Sequence, residues 1–196
     1  MRHDICVEGA GFRLRPVADK DAPLILALRS DPDLNRFLHV TPPSLESQLN
    51  WLSAYYDRPG DYYFVVESRS SSEAHGLISI YEIDSCGFSA VWGRWIIKKG
   101  SLAAVESVAL MYFCAFETLG LNNVRSQTVV ENKSVVAFHD SCGAKRLNIL
   151  PGYFNIDGSS MDAIEHQVDV QLWRSTVHMY LDGLSKKIAL RLNFER

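Results

Sequence analysis

The stretch from Lys98 to Gly143 constrains this chain most. Lys98-Lys99-Gly100-Ser101-Leu102-Ala103-Ala104 closes one apolar β segment and opens an apolar helix. A strand follows, and Asn132 then opens a shorter helix that stops at Gly143. A basic, glycine-containing turn at a helix start presents unpaired backbone N–H groups and the positive end of the helix dipole, which together suit an anion. The backbone does this work, so the Cβ of Leu102 limits how closely an anion can seat. A plain Ser101 N-cap preceded by two solvated lysines reads the same way in sequence.

The segments around this stretch are legible from period and punctuation. Phe12-Arg13-Leu14-Arg15 alternates up to Pro16, as a first strand does. Asp19 can cap a helix through about Arg29, and Pro42-Pro43-Ser44 starts a second one, which ends near Asp57 before Pro59-Gly60. Three β segments follow at Tyr62–Ser68, Gly76–Ile83 and Phe88–Lys98, joined by turn-rich tetrapeptides that suit antiparallel hairpins. The long helix runs from Ser101 to Leu119 and stops at Gly120. Asn123–Val130 reads as a strand, and the Asn132 helix follows. A β pair at about Ala144–Asn155 and Glu165–Trp173 and a C-terminal helix at about Ser175–Leu192 complete the chain.

Size and charge exclude several classes. With 196 residues the chain can bury a sizeable core as one domain over 1–196, its last helix falling within 175–196. A net charge of −3 gives no reason to expect nucleic acid or a membrane as partner. The N-terminus carries Arg2, Asp4 and Glu8 and no apolar run, so no signal peptide is expected. Cys6, Cys86, Cys114 and Cys142 form no C-x-x-C pair and no zinc spacing. They read as reduced thiols of a cytoplasmic protein without a metal, and Cys114 reads as a core residue.

The element order β, α, α, β-β-β, α, β, α, β, β, with its two motifs, resembles the GNAT (Gcn5-related N-acetyltransferase) superfamily over about residues 10 to 174. In that family the basic turn follows the pattern Arg/Gln-x-x-Gly-x-Gly/Ala. Here it is Lys99-Gly100-Ser101-Leu102-Ala103-Ala104, with Leu102 at the middle glycine's place. The second motif places Asn, a small residue, an apolar residue, Tyr and Gly at fixed spacing. Here these are Asn132, Val135, Phe138, His139 and Gly143, so His replaces Tyr.

The resemblance implies a single α/β domain with a mixed, mostly antiparallel sheet flanked by helices. Acetyl-CoA, as acyl donor, would sit in the splay between the family's fourth and fifth strands. Lys98, Lys99, Gly100, Ser101, Leu102, Ala103 and Ala104 would receive its phosphates, and Asn132 its pantetheine arm. His139 takes the place whose Tyr commonly assists the departing CoA thiolate. An imidazole with a reference pKa near 6.5 could supply a proton or a hydrogen bond there. The run Ala90-Val91-Trp92-Gly93-Arg94-Trp95-Ile96 resembles a family run with Glu at the place of Val91. That leaves Glu82 and Asp84 as the nearest acids for a base, Glu82 being the catalytic candidate. Glu106 could pair with Arg94 or Lys98, in a structural role.

The segment Leu28–Leu38 and the Phe138-His139 pair resemble the aminosugar N-acetyltransferases acting on nucleotide-linked sugars more than the RimJ/RimL-type enzymes. The expected acceptor is therefore a small-molecule amine, an aminosugar first, with Arg29, Arg36 and Arg58 available for phosphates. Trp51, Tyr55, Tyr56, Tyr62, Tyr63, Tyr81, Trp92 and Trp95 divide between core and stacking surfaces. The alternatives are a protein N-terminus or a polyamine as acceptor, or a non-catalytic CoA-binding protein. The resemblance leaves a homodimer open.

Overall fold

In the computed structural model, residues 1–39, 42 and 44–194 are described. Eight strands form one sheet in the order β1-β2-β3-β4-β5-β6-β8-β7. They are β1 (Val7–Glu8), β2 (Phe12–Pro16), β3 (Tyr62–Ser68), β4 (Ala74–Tyr81), β5 (Ser89–Ile97), β6 (Asn123–Val129), β7 (Lys145–Ile156) and β8 (Ser159–Asp169). All neighbours pair antiparallel except β5 and β6, which run parallel. The mixed, mostly antiparallel sheet is as expected. The two-residue β1 is additional, so the family's fourth and fifth strands are β5 and β6 here.

Strand periodicity explains how the sheet is covered. Successive side chains of a strand point to opposite faces. On β3, Phe64 and Val66 join Leu14, Ile80, Met111 and Tyr112 in the larger core cluster. Tyr63 and Val65 join Ile25, Leu28, Leu52 and Tyr55 in the smaller one on the other face. That smaller face carries α1 (Ala22–Ser30) and α2 (Leu45–Tyr56). The larger carries α3 (Ala103–Phe113), prolonged by a π turn at Cys114–Thr118, and the C-terminal helix.

Most element boundaries fall near their expected places, and the exceptions have local causes. Ser44 caps α2 as expected, its Oγ accepting from the Ser47 N–H at 3.3 Å, while Pro43 lies outside the described residues. Asp19 does not cap α1. Asp19–Asp21 forms a 3₁₀ turn, and the Asp21 carboxylate accepts from the Ala18 N–H and pairs with Arg15. The strand expected at Glu165–Trp173 runs over Ser159–Asp169 instead, pairing with β7 directly from the Asp157-Gly158 turn. The Asp169 carboxylate accepts from the Leu172 N–H at 2.8 Å and starts a helix five residues before the expected Ser175. This helix runs through α5 (Val170–Leu172), a π turn at Trp173–Val177 and α6 (His178–Phe194).

Glu106 is structural, but not through the expected partners. Arg94 pairs with Asp61 and Lys98 with Glu73. Buried Glu106 instead accepts from the Gly11 N–H, tying α3 to the β1–β2 turn; burial raises its pKa, and the backbone N–H groups oppose that rise. No described helix is long and apolar enough to cross a membrane.

Candidate active site

The site is a wedge opened between two strands. β5 and β6 pair only at Ser89↔Asn123, Ala90↔Val124 and Val91↔Arg125. Beyond Val91 they part, while β6 stays paired to β8 along its whole length. A bulge on β5 accounts for the divergence. Leu77 and Ser79 of β4 face Ile96 and Gly93, so three steps on β5 oppose two on β4. A bulge of this kind bends and twists its strand. Arg94, inside it, has a left-handed backbone (φ 49°). Two hydrogen bonds to Asp61, at 2.6 and 3.0 Å, and stacking over Tyr81 at 4.4 Å hold it there. A non-glycine residue keeps such a conformation only where its surroundings over-determine it.

Because β5 and β6 are parallel, the elements that follow them both leave from the open end of the wedge. α3 begins after the Lys98–Leu102 turn, and α4 (Lys133–Ser141) begins after Asn132. Both helix N-termini therefore lie at the same edge, where helix geometry leaves N–H groups without intrahelical partners. Gly100 adopts φ 77° with open space around its Cβ position, so the turn's backbone is uncovered. Ser101 Oγ accepts from the Ala103 N–H at 3.1 Å and lies 2.9 Å from His75 Nδ1. The lysines are engaged: Lys98 with Glu73 at 3.0 Å, Lys99 with Asp33 at 2.7 Å. What the turn offers an anion is its backbone.

The wedge is a cleft open to solvent. Trp92 to Trp95 of β5 form one wall, Ser126 to Val129 of β6 another, and Asn132 with Val135 and His139 of α4 closes it. The Asn132 side chain makes no capping bond to the α4 backbone; its Oδ1 accepts from Ser134 Oγ at 3.2 Å. His139 is only 3% exposed. Its Nε2 lies 3.5 Å from Ser126 Oγ, and its ring meets Trp92 edge-on at 5.2 Å. Burial pushes the His139 imidazole down to about 3; the neighbouring His166 adds to the fall and Asp140 opposes it. At neutral pH this histidine is uncharged. Of the two actions expected of it, supplying a hydrogen bond fits the structure, and acting as an imidazolium acid does not.

A second histidine escapes sequence reading. His166 of β8 stacks on His139 with ring centroids 4.8 Å apart. Its Nε2 lies 3.2 Å from Asp140 Oδ1, and Asp140 is gripped by Arg146. Those contacts, the one to Arg146 foremost, take the Asp140 carboxyl down to about 2. No local pattern marks His166; the pairing Ser126↔His166 across β6 and β8 puts it there.

Glu82, the other catalytic candidate, is not brought to the cleft. It is exposed past the end of β4 with φ 52° and lines neither this cleft nor the neighbouring chamber under α1 and α2. No carboxylate lines the cleft among the described residues, while Arg29 and Arg94 do. Nor do the described residues include a His, Cys, Asp and Glu group that could hold a metal ion.

Comparison with known proteins agrees with this geometry. The family model described as acetyltransferase (GNAT) domain matches residues 12–145. No curated protein matches the chain. Among solved structures, apo FdhC, a nucleotide-linked sugar GNAT, is 24% identical with a TM-score of 0.77, covering 93% of this chain and 99% of its own. A GCN5-related N-acetyltransferase from Brucella melitensis is 20% identical with a TM-score of 0.80, over 95% and 88% of the two chains. Spermidine N-acetyltransferase SpeG from Vibrio cholerae is 20% identical with a TM-score of 0.71, over 85% and 96%. At these identities the likeness is one of fold.

Proposed function

On the premise that the chain belongs to the GNAT acetyltransferase family, acetyl-CoA-dependent N-acetyltransferases, we propose that it acetylates the primary amine of a small molecule, an aminosugar. The observation that carries this reading is the wedge between β5 and β6, whose lining includes Asn132 and His139, while the Lys98–Ala104 turn lies outside that lining. The residues fit a CoA thioester: a backbone-lined turn at Lys98–Ala104 for phosphates, and an Asn132 amide, not spent on capping, for the amide-bearing arm.

Acetyl-CoA supplies the activated acetyl group, which the acceptor amine attacks directly. The amine must be neutral to attack. Arg29 and Arg94 in the cleft wall favour that form, because a nearby positive charge lowers an ammonium pKa. Neutral His139 offers a hydrogen bond to the departing sulfur, and stacking on His166 holds its ring in place. The aminosugar assignment rests on the likeness at Leu28–Leu38 and Phe138-His139 and on Trp and Tyr side chains in the walls. The test is release of free CoA thiol on mixing with acetyl-CoA and amines. His139→Ala is expected to lower turnover about a hundredfold, the loss of one preorganised donor to developing charge, with CoA affinity nearly constant. Equal turnover would remove His139 from the mechanism.

A further inference from the structure

Beside the wedge lies a second chamber, under α1 and α2. It shares Arg29, Tyr81, Arg94 and Phe154 with the wedge, so one ligand can occupy both. Its charges have one sign. Arg29, Arg58 and Arg94 line it, and no carboxylate does among the described residues. Asp61 balances Arg94 from outside the lining. Arg29 donates to the His39 carbonyl at 3.2 Å, and the positive charge of Arg94 acts on it. Arg36, expected to contribute, does not line the chamber and stacks on Phe37 instead.

The walls are aromatic. Trp51 carries Arg58 at 5.3 Å and Arg94 at 5.6 Å from its ring centroid, and Tyr63 and Tyr81 complete the surface. Guanidinium groups beside aromatic faces suit a ligand with both an anion and a ring. A polyamine needs the opposite, carboxylates for its ammonium groups.

Resting on the acetyltransferase reading, we propose that this chamber holds the non-reacting part of the acceptor, a phosphorylated, ring-bearing group of the nucleoside diphosphate kind, and that it excludes polyamines. The amine then projects into the wedge through the shared wall of Arg94 and Tyr81. The group's phosphates meet Arg29 and Arg58, and its ring lies along Trp51.

The test is binding, read apart from acetyl transfer. Calorimetry with the whole protein, under saturating CoA, compares uridine diphosphate, inorganic pyrophosphate, uridine and spermidine. Uridine diphosphate is expected to bind tightest, pyrophosphate more weakly, and spermidine not at all. Arg58→Gln, on the exposed rim, is expected to weaken uridine diphosphate about tenfold, the loss of one charge-assisted contact. CoA affinity should not change. Trp51→Phe should lower uridine diphosphate affinity and leave pyrophosphate unaffected. Spermidine binding tighter than uridine diphosphate would overturn the proposal, as would uridine diphosphate binding that Arg58→Gln leaves intact. If uridine diphosphate binds as expected and no amine is acetylated, the acetyltransferase reading fails, the chamber's role for an acceptor fails with it, and only its affinity for a nucleoside diphosphate stands.

Discussion

His139 should make this protein sensitive to acid in a way its replacement removes. Its folded pKa of about 3 lies below the ordinary 6.5. A histidine held neutral by burial adds stability above pH 6.5, and that stability drains as pH falls toward the folded pKa. The gap corresponds to roughly 5 kcal/mol at 1.36 kcal/mol per pH unit, of which about 2.5 kcal/mol is lost between neutrality and about pH 4.5. His139→Phe keeps a ring against Trp92 and His166 and removes the titrating nitrogens. Urea unfolding of both proteins at the two pH values gives the comparison. Paired carboxylates such as Asp140 and Glu67 titrate in both proteins, so their contribution cancels in the difference. The wild type is expected to lose about 2.5 kcal/mol more than the variant over that interval. Equal losses would show that His139 is not held neutral by burial, and the argument against an imidazolium acid would collapse with it.

Other outcomes follow from the same contacts. Asp61→Asn leaves the half-buried Arg94 without its counter-charge and is expected to cost about 3 kcal/mol, seen as a fall in melting temperature together with a rise in acceptor KM. Glu106→Ala removes the acceptor for the Gly11 N–H and is expected to destabilise by about 1–3 kcal/mol in urea titrations, with the kinetics of the remaining folded protein unchanged. Gly100→Pro cannot adopt the observed φ of 77°, so calorimetry should show weakened CoA binding, whereas Lys99→Ala should have little effect because Lys99 is already paired with Asp33.

The fold was readable because its signals are local. Alternation marks β2, turn residues between apolar runs mark β3 to β5, Ser44 marks the start of α2, and Gly120 and Gly143 mark helix ends. β1 is two residues long and carries no period. The end of β8 was misplaced because Val168, Val170 and Leu172 continue an apolar pattern that suits strand or helix. A single contact from Asp169 decides between them. The site was half legible. Asn132 and His139, which line the cleft, stand out in the sequence through their fixed spacing at and along one short helix. His166, Ser126 and the Asp61–Arg94 pair depend on strand register and on a bulge, which join residues far apart in the chain. Glu82 looked available because it follows β4 closely. Its left-handed backbone lies beyond the strand's last paired residue, and it lines neither the wedge nor the chamber beside it.

The most direct measurement mixes the protein with one concentration of acetyl-CoA and, in separate reactions, an amino-sugar nucleotide, spermidine and an N-terminal peptide. Free CoA thiol and the acetylated product are then followed together. The account predicts thiol release matched by acetylation of the amino-sugar nucleotide, with spermidine and the peptide near background. Preference for spermidine or the peptide would contradict the acceptor assignment. Silence across the panel with CoA still bound would point to a CoA-binding protein that does not catalyse transfer.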